Sequence, residues 1–178
     1  MWLKVAVRDI TIVLLGVIGW HYTAQWSAHD TMRGDLSGVV VGLLVGVGGY
    51  FLHEWGHLAG AWLTGSHVEP PATLKSGFLF SFDSQDNNLR QFLIMSFSGF
   101  AATALVVWAF YTWLPDGLLA TRVARGVALI GAFLTVFVEI PLVLYAVISR
   151  RLPPVENGGH TIHKKSQSQT ATEDPAAI

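Results

Sequence analysis

His53, Glu54 and His57 stand in the run His53-Glu54-Trp55-Gly56-His57, which holds two imidazoles and a carboxylate within five residues. On a helix, side chains four residues apart leave the same face about 40° apart and roughly 6 Å along the axis, so both histidines can reach one metal ion. Neutral imidazoles bind zinc well, and a glutamate beside the ligand face can take a proton from the water that completes the coordination. His53 and His57 are therefore the candidate zinc ligands and Glu54 the candidate general base. All three lie inside a long apolar stretch, where an ionisable group is costly and ordinarily faces an interior site.

The elements that must position this motif are membrane helices. Apolar residues make up 52% of the 178-residue chain and charged residues only 13%, with a mean hydropathy of +0.47. Those values belong to integral membrane proteins. A formal net charge of −1 offers no basic footprint for nucleic acid. The absence of cysteine removes thiolate metal sites, disulfides and cysteine nucleophiles together.

Hydropathy predicts an all-α bundle of four transmembrane helices at residues 10–24, 36–64, 91–114 and 123–149. Lys4 and Arg8 ahead of the first apolar run also fit a signal peptide, although no small-x-small cleavage site follows. Residues 1–151 then form one transmembrane catalytic bundle. Residues 152–178, with Pro153-Pro154, Gly158-Gly159 and a serine- and glutamine-rich run, form a disordered cytoplasmic tail. Lys4 and Arg8 at one end, and Arg150, Arg151, Lys164 and Lys165 at the other, put both termini in the cytoplasm. That is the topology of a multi-pass protein of a cell inner membrane. Arg122 and Arg125, in the short connection between the third and fourth spans, run against it.

This topology makes depth a test of the site. His57 and His53 lie roughly 12 and 18 Å from the end of the second span near Gly65, and Glu139 lies roughly 16 Å from Arg150 at the end of the fourth. Ser96, Ser98 and Gly99 enter the third span to roughly 8–12 Å. Glu139 is the only acidic residue in the apolar part of the last two spans, at the level of the histidines. It is either a third metal ligand or a neutral carboxyl held by a serine or threonine of a neighbouring helix. Pro141, two residues on, removes a helical hydrogen bond and is expected to kink the span and turn this carboxylate inward.

The second span is rich in glycine. Gly38, Gly42 and Gly46, and Gly56 and Gly60, are spaced by four and allow close helix contact in lipid. Gly46, Gly49, His53, His57 and Gly60 share one stripe, so the ligand face is also the contact face. Trp55 and Trp62 point elsewhere, towards core or lipid. Between spans two and three, Gly77-Phe78-Leu79-Phe80-Ser81-Phe82 is either a short re-entrant β segment or an aromatic interface anchor. His21, His29, His67 and Glu69 are assigned to loops, and His160 and His163 to the tail.

The intramembrane His53-Glu54-Trp55-Gly56-His57, followed by a span bearing Ser96-Phe97-Ser98-Gly99-Phe100-Ala101-Ala102-Thr103, resembles the site-2 protease family of intramembrane zinc metalloproteases. The likeness covers residues 38–149, and only the five-residue motif is specific. Members of that family usually take a third ligand from an aspartate in a Leu-Asp-Gly motif that follows an Asn-x-x-Pro element. Here there is no Leu-Asp-Gly, Val138 occupies the asparagine position relative to Pro141, and Glu139 is the only acidic candidate. The resemblance implies a zinc metalloendopeptidase that hydrolyses a transmembrane or membrane-proximal peptide bond through a metal-activated water. His53, His57 and Glu139 would bind Zn2+, Glu54 would be the base, and the partners would be a membrane peptide substrate and the bilayer. The alternative is a catalytically inactive metal-binding scaffold or regulator of the same fold. A di-iron hydroxylase would need further histidine clusters in the spans, and a haem site would need a histidine facing the motif from another span.

This reading predicts about one zinc per chain. Metal analysis should show stoichiometric zinc abolished by His53→Ala or His57→Ala and unaffected by His160→Ala or His163→Ala. Loss in the tail variants instead would move the site.

Overall fold

Glycines on one helix decide how the bundle packs. The computed structural model describes residues 1–26 and 32–153. In chain order these form α1 (Trp2–Trp26), α2 (Met32–Leu63), β1 (Val68–Glu69), β2 (Ser81–Phe82), α3 (Leu89–Trp113) and α4 (Leu119–Leu134). A π-helical turn at Thr135–Glu139 then leads directly into α5 (Ile140–Ser149). α2 is the hub, packed against α1, α3 and α4. A Cβ added at Gly42 would lie 2.6 Å from the Ala120 carbonyl oxygen, and one at Gly46 would lie 2.6 Å from the Val127 Cβ, both on α4. On the α3 side, a Cβ at Gly56 would lie 2.7 Å from that of Ala102, and one at Gly60 would lie 2.5 Å from the Ser98 hydroxyl. The four-residue glycine spacing thus serves two neighbouring helices at once.

Three helical stretches are long and apolar enough to cross a membrane: Gly34–Leu63, Leu89–Trp113 and Leu119–Ser149, the last running through the π turn. Of the four predicted spans these are the second, third and fourth, the fourth starting earlier than position 123. The predicted first span falls within α1, which already begins at Trp2 and carries Lys4, Arg8 and Asp9 in its opening turns. Outward faces of all the long helices are apolar, with Leu14, Val40, Leu105 and Ile130 among the exposed side chains.

The α2–α3 junction is held in register by local chemistry. α2 ends in a Schellman turn: Gly65, at a φ of 63°, donates to the Trp62 carbonyl and Ser66 to that of Ala61. α3 begins with a capping box, in which the Asn88 side chain accepts from the Gln91 N–H and the Gln91 side chain accepts from the Asn88 N–H. The Gln91 amide also donates to the Thr64 carbonyl at 3.3 Å, tying the end of one helix to the start of the next.

The connection between α2 and α3 doubles back along α2. Its strands are two residues each, antiparallel, with Val68 opposite Phe82 and Glu69 opposite Ser81. Glu69, assigned to a loop from sequence, therefore sits in β1. Of the stretch Phe78 to Phe82, only Ser81 and Phe82 are strand. Leu79, Phe80 and Phe82 are buried in the main core with Val5, Leu58, Phe92 and Val143, and Phe78 alone is exposed. Leu79, Phe80 and Phe82 therefore serve the core, which an interface anchor would not. At the other end Leu152 packs on this core and Pro153 is fully buried, so packing continues past position 151.

If the α2–α4 contact depends on bare backbone, Gly46→Leu should destabilise the bundle by about 1–3 kcal/mol. Gly131→Leu, where an added Cβ meets nothing within 4 Å, should be near neutral. Denaturant titration in micelles would measure both, and equal effects would show that the contact is not limiting.

Candidate metal centre

Antiparallel packing of α2 on α3 lays the two histidines along a ladder of α3 groups spaced by four residues. His57 Nδ1 lies 3.0 Å from the Met95 carbonyl oxygen. His53 Nδ1 lies 3.2 Å from the Gly99 carbonyl oxygen and 2.7 Å from the Thr103 hydroxyl. A carbonyl oxygen only accepts, so each ring carries its proton on Nδ1 and turns the lone pair of Nε2 inward. Gly99 is needed for this approach, because a Cβ there would collide with the His57 ring.

Glu139 comes from the far side of the same space. The Ile140 N–H donates to the Thr135 carbonyl, five residues back, and Pro141 has no N–H to continue the ladder. The expected disruption at Pro141 is thus a π turn, which inserts an extra residue and rotates the following side chains. Glu139 Oε1 lies 3.2 Å from His53 Nε2 and Oε2 lies 3.4 Å from His57 Nε2. The two Nε2 atoms are 3.1 Å apart. Glu139 meets imidazoles here, in place of the serine or threonine hydroxyl of the alternative reading.

The donor set fits a divalent cation. With both Nδ1 atoms protonated, two nitrogen lone pairs and a carboxylate face one another, one ligand atom from each residue lying within 4.8 Å of the others. Glu139 Oε2 is buried and makes no hydrogen bond. One proton can bridge a single pair of these atoms, whereas a cation serves them all. Among the described residues, His53, His57 and Glu139 are the only such group.

Glu54, one residue after His53, is buried and points about 100° round the helix from it. It lines a cavity of about 160 Å³ together with His57, Glu139, Ser96 and aromatic and aliphatic side chains. Its Oε2 accepts a 3.0 Å hydrogen bond from the Leu79 N–H in the α2–α3 connection. Two further ties hold that segment. The Tyr50 hydroxyl donates to the Gly77 carbonyl at 2.6 Å. Arg8 Nη1 donates to the carbonyls of Leu74 and Ser76 at 2.6 and 3.2 Å. The Arg8 charge is balanced by Asp9 at 2.8 Å, and the other oxygen of Asp9 accepts from the Trp55 indole at 3.0 Å. The connection therefore reaches roughly 14–20 Å back from the end of α2, to the level of Glu54 and Tyr50.

The structure brings together all four predicted site residues, His53, Glu54, His57 and Glu139. It also adds Thr103, Arg8, Asp9 and the Leu79 amide, none of which sequence reasoning assigned to the site. A signal for Thr103 was available: it follows Gly99 by four residues as His57 follows His53, and antiparallel helices pair such ladders. His21 is helical rather than in a loop, and bonds to Gln25 on an exposed face of α1. His67 lies 3.9 Å from Glu69 on the surface. His29, His160 and His163 lie outside the described residues. Comparison with protein-family models, curated proteins and solved structures gives no match, so the site rests on its own geometry.

If Glu139 and the imidazole tethers act as described, Glu139→Gln should lose stoichiometric metal. Thr103→Val should weaken it by about 10–100-fold while the bundle stays folded. Competition titration with a chromophoric chelator would measure both. Unchanged affinity in Glu139→Gln would reduce this residue to a buried hydrogen-bonding group.

Proposed function

We propose that the chain is an intramembrane zinc metalloendopeptidase, a divergent relative of the site-2 proteases, cutting a transmembrane or membrane-proximal peptide. The observation that carries this reading is that the Glu54 carboxylate lines one cavity with His57 and Glu139, two members of the group His53, His57 and Glu139. Those three residues would hold zinc. Zinc, when bound, supplies Lewis-acid activation of water and polarisation of the peptide carbonyl.

The remaining work falls to the chain. Glu54 accepts the proton of the attacking water and passes it to the leaving amide nitrogen as the C–N bond breaks, so acid and amine products balance the proton. The Leu79 N–H holds one oxygen of that carboxylate and leaves its orientation little freedom. Thr103 and the carbonyls of Met95 and Gly99 fix both imidazoles in the tautomer that ligates. Surrounding apolar side chains limit water to the cavity.

The membrane arrangement follows the same reading. α1 is the fourth span, both ends are cytoplasmic, and the segment around Leu79 re-enters the bilayer to reach Glu54. Arg125 is consistent with this orientation because it has a structural task. It donates to the Phe110 and Leu114 carbonyls at the end of α3 and pairs with Asp116 at 2.7 Å, the usual place for a cation at a helix C-terminus.

A non-catalytic metal-binding scaffold is the second reading, and the Leu79 contact favours it to the extent that it occupies the base. Zinc-loaded protein in proteoliposomes with a library of transmembrane peptides separates the two. Mass spectrometry should detect new termini, and Glu54→Gln should keep its zinc while cleavage falls by at least about a hundredfold. Fully loaded wild-type protein that cuts nothing would establish the scaffold reading, and full activity in Glu54→Gln would remove the base.

A further inference from the structure

The cavity that meets the metal group is lined by four polar residues, Glu54, His57, Ser96 and Glu139, and otherwise by apolar side chains. Phe80, Phe82, Phe92 and Met95 form its buried wall, while Phe78 and Leu142 flank it. These side chains come from the α2–α3 connection, α3 and α5, so the shape depends on three separate elements. At about 160 Å³ it matches the roughly 150 Å³ of an engineered apolar cavity that takes up benzene. Water gains little there, since the wall offers it few hydrogen-bond partners away from the carboxylates. A lipid tail would set hydrocarbon against the carboxylates of Glu54 and Glu139, which is unfavourable. A peptide carries both needed parts: an amide for the polar groups and a side chain for the apolar wall.

We infer that this cavity is a specificity pocket for one bulky apolar side chain, of phenyl size, flanking the bond presented to the metal group. The inference rests on the peptidase reading and narrows its substrate class to membrane segments that unwind beside an aromatic or long aliphatic residue. Small or charged side chains leave the aromatic wall unfilled or desolvate a charge against it. Phe92 and Met95 line the pocket as buried side chains of α3, and Leu142 lines it from α5.

A binding experiment tests the pocket without relying on turnover. Two zinc-directed probes, acetohydroxamic acid and 3-phenylpropanohydroxamic acid, are titrated into zinc-loaded protein in micelles, with the matching carboxamides correcting for micelle partition. The phenyl probe should bind at least about tenfold more tightly, the gain expected from burying a benzyl group. Leu142→Trp, at a lining position that is 39% exposed, should bring that ratio close to one. Phe92→Ala should instead shift preference from phenyl to 2-naphthyl probes. Equal affinity for the two probes in the wild type, or a phenyl preference unchanged in both variants, would overturn the assignment. A chain shown by metal analysis to hold no zinc would bring down the metal centre and the pocket together. Retained phenyl preference without any peptide cleavage would uphold the pocket as a ligand subsite and refute the peptidase reading.

Discussion

Two imidazole rings fit between α2 and α3 because the backbones there come close enough for ring nitrogens to reach main-chain carbonyls. Everything at the site depends on that approach. Gly56 and Gly60 on α2 admit α3, and Gly99 on α3 leaves space for the His57 ring. Side chains at these positions would push the helices apart, and the Nδ1 contacts to Met95, Gly99 and Thr103 would lengthen past hydrogen-bonding range. Without those contacts nothing would select the tautomer that turns both Nε2 atoms inward. In an apolar medium an imidazole without a partner for Nδ1 is costly, so the same bonds that orient the rings also make their burial tolerable.

The carboxylate arrives by a different device. A regular helix through residues 119–149 would need an N–H at Pro141 and would carry Glu139 with a different rotation. The π turn removes that conflict by pairing the Ile140 N–H with the Thr135 carbonyl. Backbone irregularity is acceptable here because it is enclosed by protein on the side where Glu139 points. Proline and glutamate two residues apart therefore act as one feature. The first perturbs the backbone, and the second uses the perturbation to reach His53 and His57.

The connection between α2 and α3 turns this centre into a cavity. Arg8, Tyr50 and Glu54 each bind a main-chain group of residues 74–79, and these ties draw Leu79, Phe80 and Phe82 into the core. Arg8 can do so inside an apolar bundle because Asp9 balances its charge and Trp55 satisfies the second oxygen of Asp9. α1 is thereby linked to the site through Arg8 and Asp9 without contributing a metal ligand. The aromatic wall of the cavity is a consequence of that linkage.

Motif and pattern made much of this legible in the sequence. The spacing of His53 and His57 places both on one helical face, and Glu54 follows from the motif. Apolar runs outline the three stretches long and apolar enough to cross a membrane, and matched distance from the helix ends singles out Glu139. These inferences work because helical periodicity and bilayer thickness are local or one-dimensional constraints. Other features required the folded chain. Thr103 reads as one polar residue among the small residues of α3 until antiparallel packing sets it against His53. Arg8 and Asp9 read as a charged flank until α1 docks on α2, and Leu79 reads as part of an apolar run until its amide meets Glu54. The π turn is foreshadowed by Pro141, but a proline indicates only that a hydrogen bond is lost, not which carbonyl the neighbouring N–H will find. What the amino-acid sequence determined by itself was which chemical groups share a helical face and how far along its helix each one lies. Which of them face one another was decided by rotation and register between helices, and those depend on contacts from residues far apart in the chain.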